Sequence, residues 1–489
     1  MKKVFYKPQD GWVGDVIPFY DHGEYKLYYL HDQRAGGDYG NHTTWNLITT
    51  KNGLDFKDYG VALPNGGEAE PDRNAYTGSV IKDQNGMYHL FYTGHNPNPE
   101  FCVDGKPLQV VLKATGSDGI HWTKDENFKL YGDGVIYEKF DWRDPFVFFN
   151  EERQEYWMLV TSRLVNSSEK KGGCIALLTS GDLVHWQYRE PFYNPDKYIT
   201  MECPDYFQMG DWHYLVYSTF SEKFVTHYKK SKTIEGVYTS PIPDTFDGRG
   251  FYAAKTASDG RQRYAFGWVP SKRGASDYGD WEWAGTLVVH EVYQSDNGDL
   301  LVRMPQAVYE HFNSETNLIP EAEKNCRHAE SQSGFELESP DGLAYRVFNE
   351  LPSQVLIEAE FTDWKEAKDF GIALRTDKLL DTGYFIKFDP FHNRIAFDMW
   401  PRTEPGFFQW QIAGDKPQMI ELERPFRFAE HNRISIKLIL EDDILCLYVN
   451  DMVAMTTRIY NFKTGHLGFF ANEGAVKVQN VRLKTNINA

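Results

Sequence analysis

Apolar and aromatic residues in this chain gather in runs of about six, each closed by a polar or glycine-bearing turn, which is the pattern of short β-strands rather than of amphipathic helices. Five such runs match one another: Tyr25 to Leu30, Tyr88 to Thr93, Tyr156 to Thr161, Trp212 to Tyr217 and Arg263 to Trp268. Their starts are 63, 68, 56 and 51 residues apart. After the first three comes a second shared element, a turn leading to an aromatic: Asn52-Gly53-Leu54-Asp55-Phe56, Asp118-Gly119-Ile120-His121-Trp122 and Gly181-Asp182-Leu183-Val184-His185-Trp186. Glycine supplies the positive φ that such turns use. Five units of this length, with about four strands each, predict a five-bladed β-propeller, an architecture that protects strand edges by radial repetition.

The repeat stops near Pro305, and a polar stretch follows that reads as a connector over 309–328. From 329 to 489 a different alternation begins, with short runs such as Val355 to Phe361, Phe370 to Arg375, Tyr384 to Phe388, Ile434 to Leu438 and Leu445 to Val449. Seven or more strands of this kind predict an antiparallel β-sandwich. The expected fold is all-β: a five-bladed β-propeller over 1–308 followed by a C-terminal β-sandwich, with no helix in either part.

Composition narrows the function. The 489 residues exceed one ordinary domain, and 41% are hydrophobic, enough for two cores. Aromatics make up 16%, as expected of strands. A formal net charge of −18 opposes binding to nucleic acid or to anionic membranes, and no apolar run reaches the length of a membrane span. The start shows no apolar core of a signal peptide, and the five cysteines (Cys102, Cys174, Cys203, Cys326, Cys446) are scattered without CxxC spacing, so a cytoplasmic location is expected. No zinc, P-loop or dinucleotide motif is present, and neither a metal nor an organic cofactor is expected.

Candidate chemistry sits just before the matched runs. Asp15 precedes Tyr25 by 10 residues, Asp144 precedes Tyr156 by 12, and Glu202 precedes Trp212 by 10; the other two units place Ser79 nine before Tyr88 and Tyr252 eleven before Arg263. If the preceding strand is the innermost of each blade, all five positions share one address at the mouth of the central channel. Three carboxylates would then converge, with Arg143 beside one of them. Clustered carboxylates cannot all stay ionised, and the resulting split between an acid and a base or nucleophile is what glycoside hydrolysis requires. A hard cation such as calcium is the alternative occupant of such a cluster, but no Asp-x-Asp-x-Asp loop supports it. Trp12 and Trp45 could line a sugar site or simply pack in the core.

These residues resemble glycoside hydrolase family 32, the β-fructofuranosidase group of invertases, fructan hydrolases and sucrose-6-phosphate hydrolases, along essentially the whole chain. Trp142-Arg143-Asp144-Pro145 is similar to the family's Arg-Asp-Pro motif, Met201-Glu202-Cys203-Pro204-Asp205 to its Glu-Cys motif, and Gly11-Trp12-Val13-Gly14-Asp15 to its nucleophile box. Tyr76 to Val80, Phe251 to Thr256, Phe266-Gly267-Trp268 and Trp283 to Leu287 match as well. The resemblance implies a retaining glycosidase with Asp15 as nucleophile, Glu202 as general acid/base and Asp144 as transition-state stabiliser. Arg143, Trp12, Trp45, Ser79, Tyr252, Leu30 and Trp283 are then the expected substrate contacts. This chain departs from the family pattern at Gly14, where an Asn is usual, at Val16-Ile17-Pro18 in place of Pro-Asn-Gly, and at Leu30 in place of Gln. Those departures keep two other readings open: a furanosidase acting on arabinose-containing glycans, and a non-catalytic carbohydrate-binding protein. For the sandwich, the resemblance implies dimerisation or binding of a second sugar chain.

Overall fold

The computed structural model describes residues 2–34, 37–328, 334–364, 366–398 and 420–487. The first five residues of the expected sandwich, 329–333, lie outside them. The fold is all-β: a five-bladed β-propeller followed by a β-sandwich.

Each blade begins with an innermost strand: Trp12–Asp21, Asn74–Lys82, Arg143–Asn150, Glu202–Met209 and Tyr252–Ser258. Each innermost strand pairs antiparallel with a middle strand: Glu24–Asp32, Tyr88–His95, Glu155–Arg163, Trp212–Thr219 and Arg263–Lys272. These middle strands are the five matched runs of the sequence. They are almost continuously buried, because blades pack on both of their faces, and this makes their aromatic and aliphatic content legible. The outer strand Lys57–Leu63 is largely exposed, with only Leu63 at its end buried.

Every innermost strand touches the innermost strand of the next blade, and that of blade 5 touches that of blade 1, so the ring closes. Backbone hydrogen bonding closes the ring as well. The third strand of blade 5, Trp281–Gln294, pairs with Trp12–Asp21 through Val13 and Gly285, which merges the sheets of blades 1 and 5. A Cβ on Gly285 would stand 1.8 Å from the Val269 carbonyl oxygen, so glycine is required at this seam.

The sandwich is a single 13-stranded sheet folded over its own core. Its spine is the 20-residue strand His466–Thr485, which pairs with Gly334–Glu350, Gln354–Thr362 and Asp369–Thr376. The stretch expected to be a free connector contributes to this sheet. Ser314–Thr316 pairs with the spine, and Pro320–Lys324 and Cys326–His328 pair with Gly334–Glu350. They are polar because they lie at exposed edges. A six-residue helix, Gln306–His311, stands at the start of this stretch, where no helix was expected. Pro305 stands at its N-cap, where the helix needs its carbonyl but not a backbone N–H.

Propeller and sandwich share a core containing Val4, Phe207, Val288, Leu356, Ile439 and Tyr448. Buried polar groups cross the same junction. Arg458 donates to the Val269 and Pro270 carbonyls and to Thr286, Asp277 accepts from Tyr384 and from the Tyr460 backbone, and Glu441 accepts the Val4 and Phe5 amides.

Candidate active site

Every innermost strand carries an irregularity at the mouth of the channel. The pairing skips between Val13 and Val16, Tyr76 and Gly78, Arg143 and Phe146, Glu202 and Asp205, and Tyr252 and Lys255. These are β-bulges, which bend a strand and re-aim its side chains. Asp144, Cys203 and Ala253 are the first unpaired residues of their bulges, and all three are left-handed, with φ of 57°, 53° and 51°. Pro145 and Pro204 follow in positions where no ladder N–H is called for.

The three acids occupy successive places in this repeated bulge rather than one address. Glu202 is the last paired residue, as are Arg143 and Tyr252 in their blades; Asp144 is the first unpaired residue; Asp15 is the second. They converge nonetheless. A pocket of about 270 Å³ is lined by Asp15, Asp144, Glu202, Arg143, Leu30, Thr77, Tyr76, Tyr39, Gly40, Gln109 and Trp283.

Each acid is held by donors from other blades. Asp15 accepts from Thr77 Oγ1 at 2.6 Å on Oδ2 and from Trp268 Nε1 at 3.1 Å on Oδ1. The Cys203 thiol lies 3.6 Å from the same Oδ2. Burial, then Asp15 and Asp144, push that thiol well above its ordinary pKa, so it remains a donor. Asp144 accepts the Cys203 backbone N–H at 2.9 Å. Glu202 accepts from Tyr252 Oη at 2.6 Å and Arg143 Nη2 at 3.1 Å. Arg143 Nε also stands 3.8 Å from Asp144, and Nη1 pairs with Asp141. Burial works against the Arg143 charge, but Glu202 and Asp144 outweigh it and raise its pKa.

The charge balance falls hardest on Asp15. Burial first, then the Asp144 carboxylate, push its pKa up from 3.8 to about 6; Glu202 adds to the rise, and the Thr77 and Trp268 hydrogen bonds oppose it. A carboxyl poised near 6 beside two other acids can lose or hold its proton within the working pH range. Among the described residues no three His, Cys, Asp or Glu side chains are grouped so as to hold a metal ion.

Other expected contacts divide. Arg143, Leu30 and Trp283 line the pocket, and Tyr252 reaches Glu202 from its wall. Ser79 does not reach the mouth: it lies beyond the blade-2 bulge and accepts the Val147 amide at 2.9 Å. Thr77 takes the place expected of it. Trp45 is fully buried in the core between blades 1 and 2, and its indole donates to the Tyr76 carbonyl at 3.0 Å. Trp12 lines a separate cavity at the junction with the sandwich, where Lys7 Nζ sits 3.9 Å from its ring. Gln109 and Tyr39 went unnoticed in the sequence, since neither belongs to the repeated strand pair. The Gln109 amide oxygen accepts the Trp142 backbone N–H at 3.2 Å and faces Arg143 Nη1 at 3.4 Å.

The departures at Gly14 and Leu30 are coupled. Leu30 lies opposite the blade-1 bulge, and a Cβ on Gly14 would meet Trp283 Cη2 at 2.7 Å and Leu30 Cβ at 3.1 Å. Trp283 therefore occupies the space that a side chain at position 14 would need.

Comparison with known proteins gives concordant matches. The model of the glycosyl hydrolases family 32 N-terminal domain matches residues 5–305, and that of the family 32 C-terminal domain matches 322–485. The sucrose-6-phosphate hydrolase of Escherichia coli is 28% identical over 322 residues, which span 60% of this chain and 62% of that protein. The levanbiose-producing levanase of Geobacillus stearothermophilus is 22% identical over 409 residues, 76% of this chain and 92% of that one. Among solved structures, fructan 1-exohydrolase IIa from Cichorium intybus superposes with a TM-score of 0.74 at 19% identity, covering 99% of this chain and 96% of that one. At that identity the likeness speaks for the fold alone.

Proposed function

The chain belongs to glycoside hydrolase family 32 and is a glycosidase, and on that premise we propose that it releases fructose from β-fructofuranosides by a retaining, two-step displacement. The observation that carries this reading is the convergence of Asp15, Asp144 and Glu202 in one pocket, with Arg143 bridging the last two. Asp15, ionised, attacks the anomeric carbon, and Glu202 gives its proton to the departing oxygen. Glu202 then takes a proton from water, which displaces Asp15 and frees the sugar. Thr77 and Trp268 aim the attacking carboxylate, and Tyr252 and Arg143 aim the acid. Asp144 and Arg143 grip ring hydroxyls, through hydrogen bonds that tighten as positive charge develops on the ring.

The names of the relatives span sucrose phosphate, levan and other fructans, so the substrate is proposed at the level of the β-fructofuranosidic bond. The test is product analysis on sucrose, sucrose 6-phosphate, inulin and levan, with the anomer first released followed by NMR. Release of β-fructofuranose ahead of mutarotation supports the reading; α-fructofuranose as first product overturns the retaining mechanism. No release from any fructoside, with turnover of an aryl arabinofuranoside, overturns the substrate class.

A further inference from the structure

The repeated bulge has a repeated partner. The residue paired with the last regular position of the innermost strand is Thr93 in blade 2, Thr161 in blade 3, Ser218 in blade 4 and Trp268 in blade 5. In each of these blades that middle-strand side chain reaches toward the bulge of the next blade. Thr161 donates to the Met201 carbonyl beside Glu202 at 2.9 Å. Ser218 meets Thr226 at 2.9 Å, and Thr226 accepts the Ala254 amide at 3.2 Å. Trp268 donates to Asp15 itself.

Thr93 occupies the most consequential link. Its side chain is fully buried, and its hydroxyl uses both of its capacities. It accepts the Asp144 backbone N–H at 2.8 Å and donates to the Thr77 carbonyl at 2.9 Å. The Asp144 N–H belongs to a left-handed residue inside a bulge, where no ladder partner exists. Thr77 in turn donates its own hydroxyl to Asp15. An unbroken line of hydrogen bonds thus runs from Asp15 through Thr77 and Thr93 to Asp144, across three blades.

We infer that Thr93 is a positioning residue of this active site: its hydroxyl fixes the donor of the attacking carboxylate and the backbone of the sugar-gripping carboxylate relative to each other. The inference rests on the roles proposed above for Asp15 and Asp144. Thr93→Val keeps the volume and removes the hydroxyl, leaving the Asp144 N–H and the Thr77 carbonyl without their partner. Misplacement of this kind at a reacting centre costs on the order of 10²-fold in rate. The expected result is a fall of that size in kcat with a smaller change in KM, and an acid limb of kcat/KM displaced to higher pH as the Thr77 hold on Asp15 loosens. Thr93→Ser, which keeps the hydroxyl and loses only a methyl, should retain kcat within about threefold, a far smaller loss. If the valine variant does not fold, Thr93→Ala read against Thr93→Ser makes the same comparison.

A second readout requires no turnover. Trp268 donates to Asp15, so the difference in tryptophan emission between the wild type and Asp15→Asn, followed with pH, reports the Asp15 proton. Its midpoint, expected near 6 in the wild type, should rise in Thr93→Val and stay in Thr93→Ser. An unchanged kcat and midpoint in the valine variant, or equal damage in both variants, overturns the inference. A wild type that hydrolyses no fructoside defeats the proposed function instead, while the emission titration still decides the role of Thr93.

Discussion

Asp15, partly buried at the pocket, and Asp247, fully enclosed at the junction, have opposite fates. Burial pushes both carboxyls up. At Asp247 the hydrogen bond and charge of His290, the Arg424 guanidinium and the Thr456 hydroxyl together outweigh burial, and the pKa ends below the ordinary value. His290 Nε2 lies 3.0 Å from Asp247, Nδ1 lies 2.9 Å from Tyr448, and the Thr456 hydroxyl donates at 2.6 Å. At Asp15 the nearest charges are two more carboxylates, and the pKa ends near 6. The junction between propeller and sandwich therefore satisfies its buried charge, whereas the channel mouth leaves its charge in conflict. Conflict of this kind costs stability and is found where a site is arranged for function rather than for stability.

The sharpest way to break this comparison is to exchange each carboxylate for a neutral group. Asp15→Asn, which removes the proposed nucleophile, should lower turnover by roughly 10⁴-fold or more, measured as initial rates on the best substrate. Asp247→Asn should leave kcat within a few-fold (about threefold), because Asp247 lies at the junction and does not line the pocket of the three acids. Comparable losses in both variants would erase the distinction.

Stability should respond in the opposite sense. Asp247→Ala leaves His290 and Arg424 without their carboxylate and should cost about 3–5 kcal/mol, the range for breaking a buried pair, read as a lower unfolding midpoint. Asp15→Asn should be more stable than the wild type at neutral pH, by at most about 3 kcal/mol, since the pocket is open to solvent. The sign follows from the shift. A folded carboxyl at about 6, against 3.8 unfolded, binds its proton more tightly when folded, so wild-type stability is lost as pH rises from about 4 to about 6. The stability difference between Asp15→Asn and wild type should accordingly grow across that window and be flat above it. Asp247, with its depressed pKa, contributes stability that is present above the ordinary aspartate range and is lost as pH falls through its folded pKa. Thr77→Val removes a hydrogen bond that holds Asp15 and lowers its pKa, and should move the acid limb of kcat/KM upward; a downward move would contradict the hydrogen-bond assignment.

Much of this was legible in the sequence, for identifiable reasons. The five middle strands are buried on both faces, so their aromatic runs announced the blades. The acids were found by counting back from those runs, but the count carried a false assumption about Ser79. The hairpin turn of blade 1 is two residues, His22-Gly23, whereas that of blade 2 spans Asp83 to Met87. The blade-2 bulge also carries one unpaired residue where the others carry two. Distances along the chain therefore do not transfer between blades, and Thr77, not Ser79, stands at the rim. Trp45 was ambiguous because an aromatic on a strand can face either side, and its indole found a carbonyl inside the core. The polar stretch 309–328 hid its strands because they lie at sheet edges facing solvent. Gln109 opens the third strand of blade 2 and Tyr39 lies between strands, both outside the matched strand pair, so counting back from the runs could not point to them.

The seam where blade 5 closes on blade 1 has a consequence for the order of events in synthesis. Asp15 is made 253 residues before the indole that donates to it, Trp268. Its pairing partner across the seam, Gly285, comes later still. Until that last blade has left the ribosome, the nascent chain carries an aspartate without its indole donor or its neighbouring sheet, and blade 1 presents an open strand edge. Contacts of such long sequence separation form late and slowly. Asp15, though made before the blades that hold it, is among the last groups to be placed, so an incompletely translated chain can hold all three acids without an assembled site.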